Sequence, residues 1–448
     1  MTAPEHNNIN SPRPRHRYPT SQLRQSTTGM SASELAEESE DTALLGDGTG
    51  HSRGESIRQE DRRPGAQGLV NAYHAVQAIL CSSHANWLLG FVPLGMMAAS
   101  MGWNSAAVFV LNFLAIFPLA SLLSYSTEEL SASVGQTLGG LINATFGNAV
   151  EMIVGITALR QGEIRIVQSS MVGSVLSGTL LILGCCFFFA GYRPEYRKDN
   201  IRFNVDVTGI MTSLMIVASA SLFIPSALYS TTATSASGSS EVNEYILVLS
   251  HITSLILLLF YIIYLYFQLK SHVHLFKDCD DGESDDSHAL GPWAASAVLI
   301  ASTLGITVCS DAVVDSIDGV VEACNVSRAF IGLIIVPIVG NAGEFVTTVN
   351  AAMKDKLDLA IGLVVGSTLQ IALFVTPFLV IMGWVMDQPM SLHFDTFETA
   401  VFSLAVVVVN CLVQNGQTNY FEGFLLIGTY IIIAIAFYVH PDVDALTM

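Results

Sequence analysis

Two carboxylates stand out because nothing near them in the sequence neutralises them. Glu151 and Glu344 lie deep inside long apolar stretches whose centres hold no lysine or arginine. A carboxylate at the centre of a bilayer costs at least about 2.5–3.5 kcal/mol on insertion scales. Such a group is either protonated or paired with a cation. With no side-chain cation nearby, the partner is a mobile one, a proton or a metal ion. Asn148 stands three residues before Glu151 and Asn341 three before Glu344, so each pair shares one helix face. Ser174 and Ser177 have the same spacing in a following apolar stretch, as do Ser367 and Gln370. Brought together, these side chains make an all-oxygen shell carrying two negative charges. Hard divalent cations prefer such shells, and calcium accepts flexible all-oxygen coordination. No cysteine or paired histidine falls at this point, which argues against a soft, thiolate-type metal site.

The pairing of these residues is part of a longer internal repeat at a constant offset of 193 residues. Gly147-Asn148-Ala149-Val150-Glu151 returns as Gly340-Asn341-Ala342-Gly343-Glu344, and Val172-Gly173-Ser174 returns as Val365-Gly366-Ser367. Ala158 matches Ala351, Leu176 and Leu180 match Leu369 and Leu373, and upstream Glu129 falls on Glu322. Gly147, Gly173, Gly340 and Gly366 flank the polar residues. Small residues allow transmembrane helices to approach closely, and they permit local unwinding where the backbone lines a protein-enclosed site.

The elements that carry these residues follow from hydropathy. The chain has 448 residues, 51% of them apolar and 13% charged, with a mean hydropathy of +0.52. Apolar runs are predicted at 86–101, 104–125, 138–159, 166–190, 203–227, 243–268, 291–310, 329–352, 358–384, 396–414 and 420–439. Runs of this kind match a hydrocarbon core of about 30 Å and must be helical there, since lipid offers the backbone no hydrogen-bond partners. The expected fold is an all-α membrane protein of about eleven transmembrane helices, one leading helix plus two five-helix repeats. An odd number of spans per unit inverts the second unit. Transporters built on inverted repeats bind their substrate near the midplane, where the repeats meet.

The expected organisation is a disordered cytosolic tail at 1–70, a surface helix and first span at 71–102, repeat one at 103–270, an acidic linker at 271–290, repeat two at 291–440 and a short luminal tail at 441–448. The tail is rich in Ser, Thr, Arg, Glu and Pro and cannot bury enough apolar surface to offset ordering entropy. Placing the N-terminus in the cytosol puts Arg193, Arg197, Lys198, Arg202, Lys270, Lys277, Lys354 and Lys356 on that side, against Arg160, Arg165 and Arg328 opposite. This agrees with the positive-inside rule. The linker carries Asp278, Asp280, Asp281, Glu283, Asp285 and Asp286, either a plain solvated loop or an attractor that raises local cation concentration. Asn325-Val-Ser327 is a glycosylation sequon on the luminal side. A net charge of −19 and the lack of a basic patch exclude nucleic acid as a partner. The seven cysteines have neither metal-ligand spacing nor a disulfide framework, and read as buried thiols.

The paired motifs Gly147–Glu151 and Gly340–Glu344, with Gly173-Ser174 and Gly366-Ser367 after them, resemble those of the Ca²⁺/H⁺ exchanger family, and the vacuolar antiporters of fungi and plants in particular. Asn143-Ala-Thr-Phe-Gly147, Pro337-Ile-Val-Gly340, Met353-Lys-Asp-Lys-Leu-Asp358, Thr376-Pro377-Phe378 and Phe397-Glu-Thr399 add to the likeness, which covers about residues 85–440. The resemblance implies an antiporter, not an enzyme, that needs no cofactor, with Ca²⁺ and H⁺ as its transported ions and the lipid bilayer as its environment. It implies that Glu151 and Glu344 alternately bind cation and proton, and that Asn148, Asn341, Ser174, Ser177, Ser367 and Gln370 line the path. It also implies a vacuolar membrane, to which Glu40-Asp-Thr-Ala-Leu44-Leu45 adds a pattern like an acidic dileucine sorting signal. One departure stands out: the family usually has His after the second Glu, and here the position is Phe345. That leaves Mn²⁺ open beside Ca²⁺. Na⁺/Ca²⁺ exchange, and a cation sensor that does not transport, are the alternatives, and a homo-oligomer stays compatible with the sequence.

Overall fold

The structure is a computed structural model that describes residues 84–193, 200–233, 239–273 and 291–439, all within one compact unit, Arg62–Met448. The expected tail, the surface helix near 69–82, the dileucine pattern and the acidic run at 278–286 lie outside the described residues. The architecture is helical. A short 3-10 turn at His84–Gly90 leads into α1 (Phe91–Ser100), then α2 (Ser105–Ser133), α3 (Gln136–Phe146), α4 (Ala149–Arg160) and α5 (Ile164–Gly191). After these come α6 (Val205–Ala233), α7 (Ser239–Tyr266), α8 (Pro292–Asp315), α9 (Ile317–Cys324) and α10 (Arg328–Gly340). The last four are α11 (Ala342–Met353), α12 (Leu357–Val385), α13 (Thr396–Val413) and α14 (Tyr420–Val439). A two-residue antiparallel pair, β1 (Ile201–Arg202) with β2 (Gln417–Thr418), joins two connections at one end.

Eleven spans were expected. Among the described residues eight helices are long and apolar enough to cross a membrane, and ten if each of two sharply bent pairs counts once. The first expected span is the apolar helix Trp87–Ser100. At 1.5 Å per residue it extends about 21 Å, short of a ~30 Å core. The expected span 138–159 is broken, with α3 and α4 meeting at 43°. The expected span 329–352 is divided at Asn341 into α10 and α11, while α9 meets α10 at 117°. The second expected span, 104–125, continues as helix to Ser133, because polar residues past the apolar run keep helical backbone bonds as well in water as in lipid.

The repeat is visible in the breaks themselves. α4 and α11 have twelve residues each and start 193 apart, after Asn148 and Asn341. Both following helices contain a π segment, Ser177–Ile182 in α5 and Ile371–Val375 in α12, a feature often found at functional sites. α2 packs along α8 and α13 along α6. The core runs through the middle of the bundle, with Leu176, Leu180, Leu183, Leu369, Leu373 and Leu379 all fully buried. These side chains come from the α5 and α12 stretches that contain the π segments.

Ion pairs among the described residues lie near both ends of α5. At one, Arg193 pairs with Asp355, and the Asn204 amide donates to Asp358 Oδ1 at 2.5 Å. At the other, Arg328 meets Glu163 at 2.7 Å and Arg165 meets Glu398 at 3.1 Å. Of the described cysteines, Cys185, Cys186 and Cys309 are buried, but Cys324 and Cys411 are exposed, contrary to the expectation that all are buried. Cys324 is the last residue of the short helix α9. Asn325 beside it is exposed, in left-handed conformation at φ 52°.

Candidate functional site

Both glutamates occupy the third position of a helix that begins at a break. Asn148 immediately precedes α4 and Glu151 lies in its first turn; Asn341 immediately precedes α11 and Glu344 lies in its first turn, and neither asparagine side chain bonds its own helix end. The positive end of each helix dipole therefore faces a carboxylate, which favours negative charge there. Gly147 follows the last residue of α3 and Gly340 is the last of α10, so each break falls at a glycine followed by an asparagine.

The second repeat's glutamate is tied across to the first repeat. Ser367 Oγ lies 2.8 Å from Glu344 Oε2 and 3.0 Å from Asn148 Oδ1. Asn148 Nδ2 donates to Gln370 Oε1 at 2.8 Å. Glu344, Ser367, Asn148 and Gln370 thus form one chain of polar contacts drawn from both repeats. Asn341 Nδ2 donates to the Ser174 carbonyl at 3.3 Å. Glu151, 6% exposed, lies against Gly340, where an added Cβ would sit 2.8 Å from Glu151 Oε1. So Glu151 touches the other repeat directly, and Glu344 reaches it through Ser367. Ser174 and Ser177 are buried. Ser177 opens the π segment of α5, at the position that matches Gln370.

Two buried oxygens at this meeting point have no hydrogen-bond partner, Asn341 Oδ1 and Glu344 Oε1. An unpartnered buried acceptor costs free energy unless something donates to it or binds it. No group of three or more His, Cys, Asp or Glu side chains suited to a metal occurs among the described residues. A cation at this point would therefore be held by two carboxylates helped by amide and hydroxyl oxygens, a hard-ligand set.

The glycines divide into two kinds. At Gly173 an added Cβ would meet the Leu333 carbonyl oxygen at 2.1 Å and Pro337 Cγ at 2.6 Å, so α5 crosses α10 backbone to backbone. Gly340 makes room for Glu151, as above, and Gly147 sits at its helix end, where a Cβ would fall 2.7 Å from the Asn143 carbonyl oxygen. Gly366 was expected to permit close helix packing; instead an added Cβ would meet only the Met211 tip at 3.4 Å, an ordinary contact. A flexible methionine faces this glycine where its repeat mate faces backbone.

Two cavities lie toward the Lys354 end of the bundle, the larger of them bordered by Gln370 of the polar chain. The larger, about 660 Å³, is lined by Glu128, Asn143, Gln268, Met211 and Gln370 among others. The smaller, about 370 Å³, runs past Glu128, Gly343, Asn350, Lys354 and Lys356. Glu128 borders both. Neither Glu128 nor Glu398 is marked by the repeat, since Glu128 matches Val321 and Glu398 matches no acid in the first copy. The adjacent Glu128-Glu129 pair past the end of an apolar run was the available signal for the first, and the isolated acid at the start of an apolar run for the second.

The family profile described as sodium/calcium exchanger protein matches residues 104–270 and 294–439. The chain belongs to the sodium/calcium exchanger protein family. Within that family it is 42% identical over 375 residues to the vacuolar calcium ion transporter of Schizosaccharomyces pombe, covering 84% of this chain and 89% of the relative. It is 40% identical over 380 residues to the vacuolar cation/proton exchanger 3 of Oryza sativa subsp. japonica, covering 83% and 89%. The crystal structure of the selenium-substituted Ca²⁺/H⁺ antiporter protein YfkE superposes with a TM-score of 0.66 at 34% identity, covering 79% of this chain and 98% of that one. Two matched segments in one exchanger chain correspond to the two halves that carry Glu151 and Glu344.

Proposed function

We propose that this protein is a secondary antiporter that exchanges Ca²⁺ for H⁺ across the membrane of an acidic vacuole, with Glu151 and Glu344 alternately holding cation and proton. The observation that carries this reading is the pair of unpartnered buried oxygens, Asn341 Oδ1 and Glu344 Oε1, set beside Glu151 where the repeats meet. The amide oxygen of Asn341 can only accept, and Glu344 Oε1 does the same while the carboxylate is charged, which suits a cation. When protons replace the cation, each carboxyl becomes neutral and its burial no longer costs the energy of a bare charge. Competition for the same oxygens couples the two ions, and rocking of helix groups around a fixed site supplies alternating access. The names of the relatives, calcium transporter and cation/proton exchanger, support proton coupling, and the family description keeps sodium as the alternative counter-ion.

The Lys354 end, with its two cavities, is read as cytosolic and the Arg165 end as luminal, which places the N-terminus and the acidic linker in the cytosol. Glu128 and the cavities then form the cytosolic approach. The hard-oxygen site fits Ca²⁺, with Mn²⁺ as a second cargo because Phe345 removes a titratable neighbour from Glu344. The test is ⁴⁵Ca²⁺ uptake into sealed proteoliposomes with an imposed pH gradient, for the native chain, Glu151→Gln and Glu344→Gln. Gradient-dependent uptake in the native chain and none in either variant supports the reading. Uptake that follows a Na⁺ gradient and ignores pH overturns it.

A further inference from the structure

The ten residues between α12 and α13 run back into the protein at the end opposite the two cavities. Met390 and Leu392 are fully buried and Phe394 nearly so. Three helices hold this segment. From α5, Gln168 Nε2 donates to the Ser391 carbonyl at 2.9 Å. From α6, Ser226 Oγ donates to the Leu392 carbonyl at 3.1 Å and accepts from the Phe394 amide at 2.9 Å. From α7, Ser250 Oγ accepts from the Leu392 amide at 2.9 Å.

All of these are neutral contacts except at one point. Glu398, fully buried at the start of α13, accepts from Arg165 at 3.1 Å and from Ser169 Oγ at 2.7 Å, both on α5, and from the Asp395 amide at 3.3 Å. Asp395 Oδ2 stands 4.0 Å from Arg165. Among the described residues, further titratable groups near this point are His393, whose ring lies 3.8 Å from that of Tyr229 on α6, and Glu163, which is paired with Arg328 of α10. The site proposed above is served by the same helix, since Ser174 follows Arg165 by nine residues on α5, about 13 Å along the axis.

We propose that the Arg165–Glu398 pair is a proton-operated latch, which keeps the 386–395 segment seated while Glu398 is charged and lets it loosen when that carboxylate is protonated. Protonating Glu398 removes the buried partner of Arg165, whose side chain is one-third exposed and keeps only the more distant, part-exposed Asp395 at 4.0 Å, so the charge-assisted tie that holds the start of α13 to α5 is reduced to neutral hydrogen bonds. His393 acts in the same direction. Burial, and then Arg165, hold its pKa below the ordinary histidine range, against the pull of Asp395. The neutral form is thereby favoured, and acid strong enough to charge the ring places a second cation beside Arg165. Acid at this end therefore removes one negative charge and adds one positive charge at the same contact. The role of Glu398 is to position the segment; it is not part of the cation site.

The latch rests on the antiport reading in one respect, that the compartment at this end is the acidic one. The full-length protein in nanodiscs, with no transport required, is followed by hydrogen–deuterium exchange of the 386–395 backbone at pH 7.5 and 5.5. The expected result is slow exchange at pH 7.5 and, after correction for the intrinsic pH dependence, at least tenfold faster exchange at pH 5.5. Glu398→Gln, which loses the charge but keeps an oxygen to accept from the Asp395 amide and an NH2 that can donate to Ser169 Oγ, is expected to exchange fast at both. Corrected exchange in the native chain that is indifferent to pH overturns the latch, whether or not the variant folds; so does a Glu398→Gln segment as protected as the native one at pH 7.5. In proteoliposomes, Glu398→Gln is expected still to carry Ca²⁺ but with a flattened dependence on the pH at the Arg165 end. An unchanged pH profile there also overturns the latch. Loss of gradient-driven uptake by the native chain, with its pH-dependent exchange intact, would instead count against the antiport reading alone.

Discussion

Ser367 Oγ stands 3.0 Å from Asn148 Oδ1 and 2.8 Å from Glu344 Oε2, so one hydroxyl faces two acceptors. A hydroxyl has a single proton to donate. With Glu344 charged, that proton goes to the carboxylate and Asn148 Oδ1 is left with less. With Glu344 protonated, the carboxyl donates to Ser367, Ser367 donates to Asn148, and Asn148 already donates to Gln370. Every donor in the chain then points the same way. The network therefore registers the protonation state of Glu344 in the first repeat. Ser367→Ala removes the donor to the charged form, which is worth about 1.5–3 kcal/mol for a bond to a charged group. The expected outcome is Ca²⁺ uptake that requires at least tenfold more Ca²⁺ for half-saturation, measured in vesicles at fixed pH gradient.

Glu344→Asp tests geometry separately from charge. The carboxylate remains but withdraws by one methylene, beyond good hydrogen-bond reach of Ser367. Uptake is expected to fall substantially while still following the pH gradient. Complete loss, equal to that of Glu344→Gln, would show that position matters as much as charge.

Gly340→Ala and Gly173→Ala separate site from scaffold. The first places a methyl 2.8 Å from Glu151 Oε1, the movable end of a side chain. Protein yield and melting temperature are expected to hold while uptake drops. The second drives a methyl into the Leu333 carbonyl at 2.1 Å, which no side-chain rotation relieves, and overpacking of this kind costs about 1–3 kcal/mol or more. Its expected signature is a lower melting temperature in detergent.

Arg193→Ala provides a control. Its partner Asp355 is half exposed, and exposed ion pairs contribute about 0–1 kcal/mol. A melting temperature within about 2 °C of native, with unchanged uptake, is expected.

The glutamates were legible because they violate the pattern around them. An acid in an apolar run has few explanations, and a second at the same place in a repeat has fewer. Asn148, Asn341, Ser367 and Gln370 were legible through helical spacing and the offset of 193. Ser174 contributes its backbone carbonyl to Asn341 rather than its hydroxyl, and Gly366 lacks the close contact expected of it, because a repeat in sequence does not oblige its two copies to pack alike. The span count fared less well: hydropathy averages over a window and cannot see that Asn341 divides one apolar run into two helices, or that Trp87–Ser100 is short.

Sequence by itself determined the class of molecule, since apolar runs in lipid can only be helices and a carboxylate within them needs a mobile cation. It also determined the internal repeat, a constant offset of 193 residues that the two matched family segments repeat. What only the tertiary structure decided is which atoms meet: that Ser367 bridges Glu344 to Asn148, that Glu151 rests on Gly340, and that Arg165 reaches Glu398 across 233 residues of chain. Spacing along a helix assigns residues to a face, but contacts between distant segments depend on how breaks, crossings and packing orient whole helices, and no local pattern encodes that.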